Sequence, residues 1–367
     1  MWGKIVSFCR RDAVLCTAII LAALSSYWQT PRWEYIDFSV LSMLFSLMLV
    51  VAGLKSVRFL DWLAVELLNR CRSWHGVTAA LVGITYAASM FVTNDVALLT
   101  FVPLALVIGK TLRTDMARVI ILQTLAANLG SMLTPPGNPQ NLFLYARYGY
   151  TAQNFFSVML WPGVLSLAYI GFLLLRRPDR PLLLELPALE RPKRWRTLLL
   201  LTLLALNVGA VLHWVDKAAA LLVTALFIAL LNWRLFKQVD YGLLATFTGF
   251  FIFVGNISRT GAAAYLQQSF LGTAAGTYLA ALISSQFISN VPAAMLLAGL
   301  TQEADALLLG VNVGGLGTLI ASMASVISYK LFAAEYPYQA GTYLRTFLYY
   351  NFAGLLLLGL LTYALLL

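Results

Sequence analysis

Charge is what this chain has least of. Of its 367 residues only 11% are Asp, Glu, Lys or Arg, and it has two histidines and three cysteines. A soluble domain carries roughly 25% charged residues, so these side chains cannot cover a water-facing surface. With 60% hydrophobic residues and a mean hydropathy of +0.81, the expected solvent is a lipid bilayer. Cys9, Cys16 and Cys71 have no metal-ligand or redox spacing and read as free structural thiols. No Walker loop, Ser-His-Asp set or zinc spacing occurs, so neither an enzymatic activity nor a cofactor beyond a coupling ion is expected. The formal net charge of +10 does not indicate nucleic acid, because Lys and Arg lie between apolar segments rather than on one basic face. Cytoplasmic ends of membrane helices account for the excess. Lys4, Arg10 and Arg11 precede an apolar run, but no clear cleavage site lies near Ser25-Ser26-Tyr27-Trp28. That run is therefore read as a retained first helix.

What the chain does have is a set of polar interruptions. Phe91-Val92-Thr93-Asn94-Asp95-Val96 and Phe287-Ile288-Ser289-Asn290-Val291-Pro292 break apolar runs at matching places in the two halves. Downstream of each comes a glycine-containing break, Asn128 to Asn141 in the first half and Asn312 to Ser325 in the second. A broken helix in hydrocarbon leaves N–H and C=O groups unpaired, so breaks persist only where protein or a watery cavity surrounds them. Two breaks per half are the pattern of a transporter whose site lies between repeats.

Spanning helices need about 20 mostly apolar residues. The sequence predicts them over 13–29, 36–54, 154–175, 197–213, 218–233, 240–257 and 342–365. Shorter arms, 76–92 with 96–109 and 274–288 with 292–301, read as re-entrant hairpins. Segments 115–130 and 303–316 run into the second breaks and resume near 140–147 and 323–333, as discontinuous helices do. Lys55–Arg72 and Arg259–Gly272 are amphipathic and read as interfacial connectors. The resulting organisation is an N-terminal transmembrane helix at 1–35 and a first repeat at 36–175, with hairpin tip 93–95 and break 130–141. A basic cytoplasmic linker follows at 176–196, then two connecting helices at 197–239. The second repeat covers 240–367, with tip 289–291 and break 314–325.

The linker carries Arg176, Arg177, Arg180, Arg191, Lys193, Arg194 and Arg196, which places it in the cytoplasm. Walking outward puts the N-terminus inside, the C-terminus outside and the two hairpins on opposite faces, in about 11 transmembrane elements. The repeat is arithmetical. Thr134 and Thr318 are 184 apart (318 − 134), and Asn128/Asn312, Gly130/Gly314, Asn138/Ser322 and Asn141/Ser325 keep that offset. The tips pair at 196 (Asn94 with Asn290), and Asp37 pairs with Asp240 at 203. An odd number of crossings between the halves makes the repeat inverted.

Thr93-Asn94-Asp95-Val96-Ala97-Leu98-Leu99 is similar to the Asn-Asp tip of arsenite-permease-like proteins. Ser289-Asn290 is similar to the Ser-Asn-Thr tips of divalent-anion symporters. Gly314-Gly315-Leu316-Gly317-Thr318 resembles the glycine-rich break of the same group. On these motifs residues 36–367 resemble the ion transporter superfamily. It includes arsenite permeases, D-type sodium/proton antiporters, citrate–metal transporters and divalent-anion symporters. The resemblance implies an all-α inverted-repeat secondary transporter of the bacterial inner membrane, a homodimer, with two sites each built from a tip and a facing break. The residues it points to are Thr93, Asn94, Asp95, Ser131, Thr134, Gly137, Asn138 and Asn141, with Ser289, Asn290, Gly315, Thr318, Ser322 and Ser325. It further implies Na+ at Thr93, Asn94, Asn138 and Asn141. Val291, Ala321 and Ser325 stand where the family carries a hydroxyl, Gly and Asn, so the second site offers fewer oxygen ligands.

Hydroxyls, amide oxygens and open carbonyls suit a small cation or an oxyanion, and half-helix N-termini add a partial positive charge. Asp95 stands out, because a carboxylate at the centre of a membrane helix costs roughly 2.5–3.5 kcal/mol on insertion scales. It is expected to pair, bind a cation or take up a proton; capping the helix that follows is a compatible second role. His75 and His213 read as boundary side chains, Arg259 as an interface anchor, and Trp28, Trp33, Trp161, Trp195, Trp214 and Trp233 as an aromatic belt. Gln123 and Gln286, polar within apolar segments, either bond across helices or line the path. The expectation is a carrier for a small carboxylate or oxyanion coupled to H+ or Na+. Sodium/proton exchange and arsenite-type efflux are the alternatives.

Overall fold

The computed structural model describes residues 13–176, 179–182, 186–258, 260, 265 and 267–366. Lys4, Cys9, Arg10, Arg11, Arg177 and Arg259 lie outside the described residues. The described chain is helical. In order the helices are α1 (Ala13–Trp28), α2 (Phe38–Ser56), α3 (Phe59–Leu68), α4 (Trp74–Val92), α5 (Asn94–Leu112), α6 (Ala117–Ser131), α7 (Pro139–Arg147) and α8 (Ala152–Leu175). They continue as α9 (Arg194–Val211), α10 (Lys217–Asn232), α11 (Tyr241–Ile257), α12 (Ala274–Ile288), α13 (Asn290–Ala298), α14 (Ala304–Val313), α15 (Met323–Glu335) and α16 (Ala340–Leu366). Among the described residues, seven helical stretches are long and apolar enough to cross a membrane by length and composition.

Local chemistry sets these limits. Asp37 and Asp240 open α2 and α11, each accepting a backbone N–H three residues on, Val40 at 3.0 Å and Leu243 at 2.9 Å. Ser73 and Thr273 cap the first arm of each hairpin in the same way, from Gly76 and Gly276 at 3.1 Å. The first hairpin is longer than the sequence implies, with arms of 19 residues each, or about 28 Å at 1.5 Å per residue. The reason is its tip, where only Thr93 is non-helical and α5 begins directly on Asn94. Similarly, Ser289 alone separates α12 from α13, whose lengths are 15 and 9 residues. Each downstream break holds one short 3-10 turn, Pro135–Gly137 and Leu319–Ala321, and these too are 184 apart (319 − 135).

The helices pack as two units. On one side α2 packs against α9, α10 and α11, and α11 against α1; α4–α8 with α12–α16 form the other. Connector α3 is shorter than the predicted 55–72 stretch, because Arg58 turns left-handed (φ 55°) just before it. Of the second connector, the structure describes a π-helical turn at Gln267–Leu271. The basic linker lies against the first hairpin: Trp74 N–H donates to Arg180 O at 2.9 Å and Leu182 N–H to Arg72 O at 3.0 Å. Asn69 and Leu186 exchange two hydrogen bonds of 3.2 and 2.9 Å.

Candidate functional site

The two tips share one backbone shape. Thr93 and Ser289 both sit at φ 73°, ψ 153°, a region that L-residues with a side chain rarely occupy and that costs on the order of 1–3 kcal/mol. Hydroxyl bonds from the breaks hold them there. Thr134 Oγ1 donates to Met90 O in the first half. Thr318 Oγ1 donates to Gln286 O at 2.9 Å in the second, and Met90 and Gln286 are again 196 apart (286 − 90). Gln286 braces its own break further, donating to Gly314 O at 2.8 Å and Leu316 O at 3.0 Å and accepting from Thr318 N–H at 3.0 Å. Gln123 bonds to Thr85 Oγ1 and Phe101 O, both at 3.2 Å. Both glutamines therefore bond across helices.

Glycine is required where the break closes on itself. A Cβ at Gly137 would fall on the Ser131 carbonyl, and one at Gly315 would lie 2.9 Å from the Asn290 amide nitrogen. Gly130 and Gly314 pack against the buried Ser89 and Ser285 hydroxyls of the hairpins, a further pair related by the two offsets.

The breaks interlock across the repeats. Asn312 donates to Asn141 Oδ1 at 2.7 Å and accepts from Asn138 at 3.2 Å. Asn128 donates to Ser325 Oγ at 3.2 Å and accepts from Ser322 Oγ at 2.9 Å and from the Asn94 amide at 3.2 Å. Asn138 Oδ1 also caps α7 by accepting Asn141 N–H at 2.8 Å, and Asn141 Nδ2 donates to Met132 O at 3.0 Å and Thr134 O at 3.2 Å. Ser131 Oγ accepts from Asn138 Nδ2 at 3.3 Å. All these side chains are buried.

A cavity of about 490 Å³ lies between the two helix units and reaches this interlock. Thr93, Asp95, Pro136, Asn138 and Pro139 line it, and the exposed Lys55, Gln238 and Asp240 mark its mouth. A contiguous recess of about 90 Å³ brings Asn94 and Asp95 of the first tip together with Asn290 and Val291 of the second, with Gln140, Asp240 and Ser322. Asp95 is half-buried, and its Oδ1 is shut off from solvent without a hydrogen-bond partner among the described residues.

The structure thus brings Thr93, Asn94, Asp95, Asn138, Asn290 and Ser322 onto one central cavity. Ser289 is buried behind its tip, Oγ 3.4 Å from Ala321 O. Asn141, Ser131 and Ser325 belong to the interlock, Thr134 and Thr318 hold the tips, and Gly137 and Gly315 make room. Of the four residues expected to hold Na+, Thr93, Asn94 and Asn138 reach this cavity, whereas the Asn141 oxygen faces Asn312. Asn128, Asn312, Gln140 and Asp240 were not among the expected site residues, although the 184-residue offset marks the first two and the 203-residue offset the last.

A second cavity, of about 320 Å³, is lined by Glu34, Tyr35, Asp37, Arg147, Phe250 and Val254. α11 runs past both cavities. Leu243 and Thr246 face the central one, and Phe250, Phe251 and Val254 the other. Between them on the helix Phe247 is fully buried, its ring 6.3 Å from Phe143 and 6.2 Å from Phe251. The histidines stay outside the site: His75 Nδ1 lies 3.5 Å from Asp179, and His213 stacks on Tyr145 at 5.4 Å. The His75 backbone N–H, which donates to Asp179 at 2.9 Å, holds that carboxyl below the usual carboxylate range.

An all-helical membrane protein whose interrupted helices from both halves meet at one central cavity is, by class, a secondary transporter rather than an enzyme. The profile of the citrate transporter family, CitMHS, matches residues 1–327; the chain belongs to that family. An uncharacterized transporter of Methanocaldococcus jannaschii is 31% identical over 318 residues, 85% of this chain and 86% of the relative. Inner membrane protein YbiR of Escherichia coli is 30% identical over 304 residues, 81% of this chain and 80% of the relative. The crystal structure of the YdaH transporter of Alcanivorax borkumensis matches with a TM-score of 0.59 over 96% of both chains. At 14% identity, that likeness is one of fold.

Proposed function

We propose that this protein carries a small anion of the carboxylate or oxyanion type across the membrane, coupled to H+ or Na+ by alternating access. The observation that carries the reading is the convergence of both tips on one cavity with Asp95 Oδ1 unpartnered inside it. A carboxylate without a counter-charge in a membrane interior is neutralised by a proton or a cation, which makes its occupancy depend on which side the cavity faces. The N-termini of α5, α7 and α13 aim partial positive charge at the same place, where an anion is favoured. In this reading the basic linker is cytoplasmic, so the mouth at Lys55, Gln238 and Asp240 opens inward and the Arg147 cavity opens outward. The Phe143–Phe247–Phe251 cluster is then the closed barrier between them. The relatives are consistent with a bacterial inner-membrane location, and a homodimer in the bilayer follows from the superfamily resemblance.

A second reading, sodium/proton exchange, is favoured by one feature: Asp95 shares its cavity with a second carboxylate, Asp240. Reconstituted liposomes holding a pH gradient separate the two. In the anion carrier reading, citrate or another oxyanion added alone dissipates the gradient when coupling is to H+, and enters only with Na+ beside it when coupling is to Na+. Sodium alone dissipates the gradient for an exchanger, and arsenite alone for an efflux permease.

A further inference from the structure

Asp240 belongs to neither tip nor break, yet it lines both parts of the central cavity beside Asp95. It opens α11, with Oδ1 accepting the Leu243 N–H at 2.9 Å, and it is exposed. Only one carboxylate oxygen serves the cap; the other remains for the cavity. Its repeat mate Asp37 supplies an internal comparison. The two have nearly the same backbone, φ −78°, ψ 85° against φ −80°, ψ 89°, and the same capping bond. Asp37, however, lines the other cavity, away from Asp95. Asn or Ser caps a helix as well as Asp does, so capping alone gives no reason for a negative charge at this mouth.

Among the described residues, few charged or titratable groups face the central cavity. α5 contributes Asp95, the start of α11 contributes Asp240, and α2 contributes the exposed Lys55 at the mouth. The lining residues of α4, α7, α13 and α15 are uncharged. Among the described residues Lys55 forms no ion pair, and Asp95 Oδ1 has no hydrogen-bond partner. Among the described residues, a cation moving from water to Asp95 therefore meets one other negative group on its way, Asp240. Low-dielectric walls around such a charge concentrate its field on passing ions.

We propose that Asp240 is a second coupling carboxylate, which gathers a proton or small cation at the cavity mouth and passes it inward to Asp95. In the protonic case one proton leaves the Asp240 carboxyl and arrives on the Asp95 carboxylate, directly or through water, so total charge is unchanged. The inference rests on the reading of Asp95 as the coupling carboxylate, and it adds where the coupling ion is collected.

Chemical modification tests it without knowledge of the transported anion. The protein in liposomes at low ionic strength is treated with a cationic, water-soluble carbodiimide or with a neutral one of similar size. Modification at Asp95 is then followed by mass spectrometry. Asp240→Asn, which keeps the cap, is expected to slow the cationic reagent at Asp95 about tenfold while leaving the neutral reagent unchanged. Asp240→Ser, a different capping residue, is expected to give the same loss, and Asp37→Asn none. High salt is expected to abolish the difference. An unchanged ratio of cationic to neutral labelling in both Asp240 variants overturns the relay alone. Failure of either reagent to reach Asp95 in the unaltered protein overturns the coupling role of Asp95, and the relay with it.

Discussion

Asn128 and Asn312 stand at equivalent points of the two repeats, and each anchors the break of the other. Asn128 bonds to Ser322 and Ser325, and Asn312 to Asn138 and Asn141. Adding 184 to one member of each contact and subtracting it from the other converts the first set into the second. Two irregular segments, each unstable alone in hydrocarbon, thus complete one another's hydrogen bonding.

Replacing either asparagine by alanine leaves partners buried and unpaired. Each unsatisfied group costs roughly 1–3 kcal/mol, so Asn128→Ala and Asn312→Ala should each lower the unfolding temperature in detergent by several degrees. Asn128→Ala also frees the Asn94 amide and should have the larger effect on ion or substrate protection of the fold. Unchanged melting in both variants would contradict the interlock.

At the tips, Thr93 and Ser289 occupy backbone space suited to glycine. Thr93→Gly and Ser289→Gly should relieve about 1 kcal/mol or more of strain, offset in part by greater freedom of the unfolded chain. The expected outcome is melting equal to or above that of the unaltered protein, together with slower transport because the tip is no longer held in one shape. A clear loss of stability in both variants would mean that the tip geometry is not strained.

Gly137 and Gly83 make a matched pair for packing. A methyl at Gly137 meets the Ser131 carbonyl, whereas one at Gly83 meets nothing within 4 Å. Gly137→Ala should therefore destabilise by about 1–3 kcal/mol, and Gly83→Ala, in open space inside α4, should stabilise by about 0.5–1 kcal/mol. Thermal unfolding of the two side by side checks this.

The linker contact has a defined pH response. The Asp179 carboxyl is held below its ordinary range, chiefly by the His75 backbone N–H. A depressed carboxyl contributes stability that is full above the unfolded value, about 4 for Asp, and is lost as pH falls through the folded value. The protection factors of the Trp74, His75 and Leu182 amides, corrected for the intrinsic exchange rate at each pH, should thus fall in acid. Asp179→Asn should weaken the same contact at neutral pH.

Most of the helical plan was legible from apolar run lengths, because a span needs about 20 apolar residues. Caps such as Asp37, Asp240 and Thr273 mark where several helices begin. The three-residue polar tips proved to be one-residue turns, since Asn94 and Asn290 can start a helix and polarity alone does not say so. The offset of 184 identified the residue pairs of the breaks but not that Asn128 would reach Ser325 rather than its own break. That choice depends on how the repeats pack. The cavities are less legible still: Lys55 and Asp240 join Asp95 only because α2 and α11 lie across the hairpin.

The most direct measurement is proton flux in liposomes carrying the unaltered protein or Asp95→Asn, started with citrate or with sodium and followed across pH. Whichever addition drives protons through the unaltered protein is expected to fail in Asp95→Asn, and the remaining flux is expected no longer to vary with pH. Full flux in Asp95→Asn with the same pH profile would contradict this expectation.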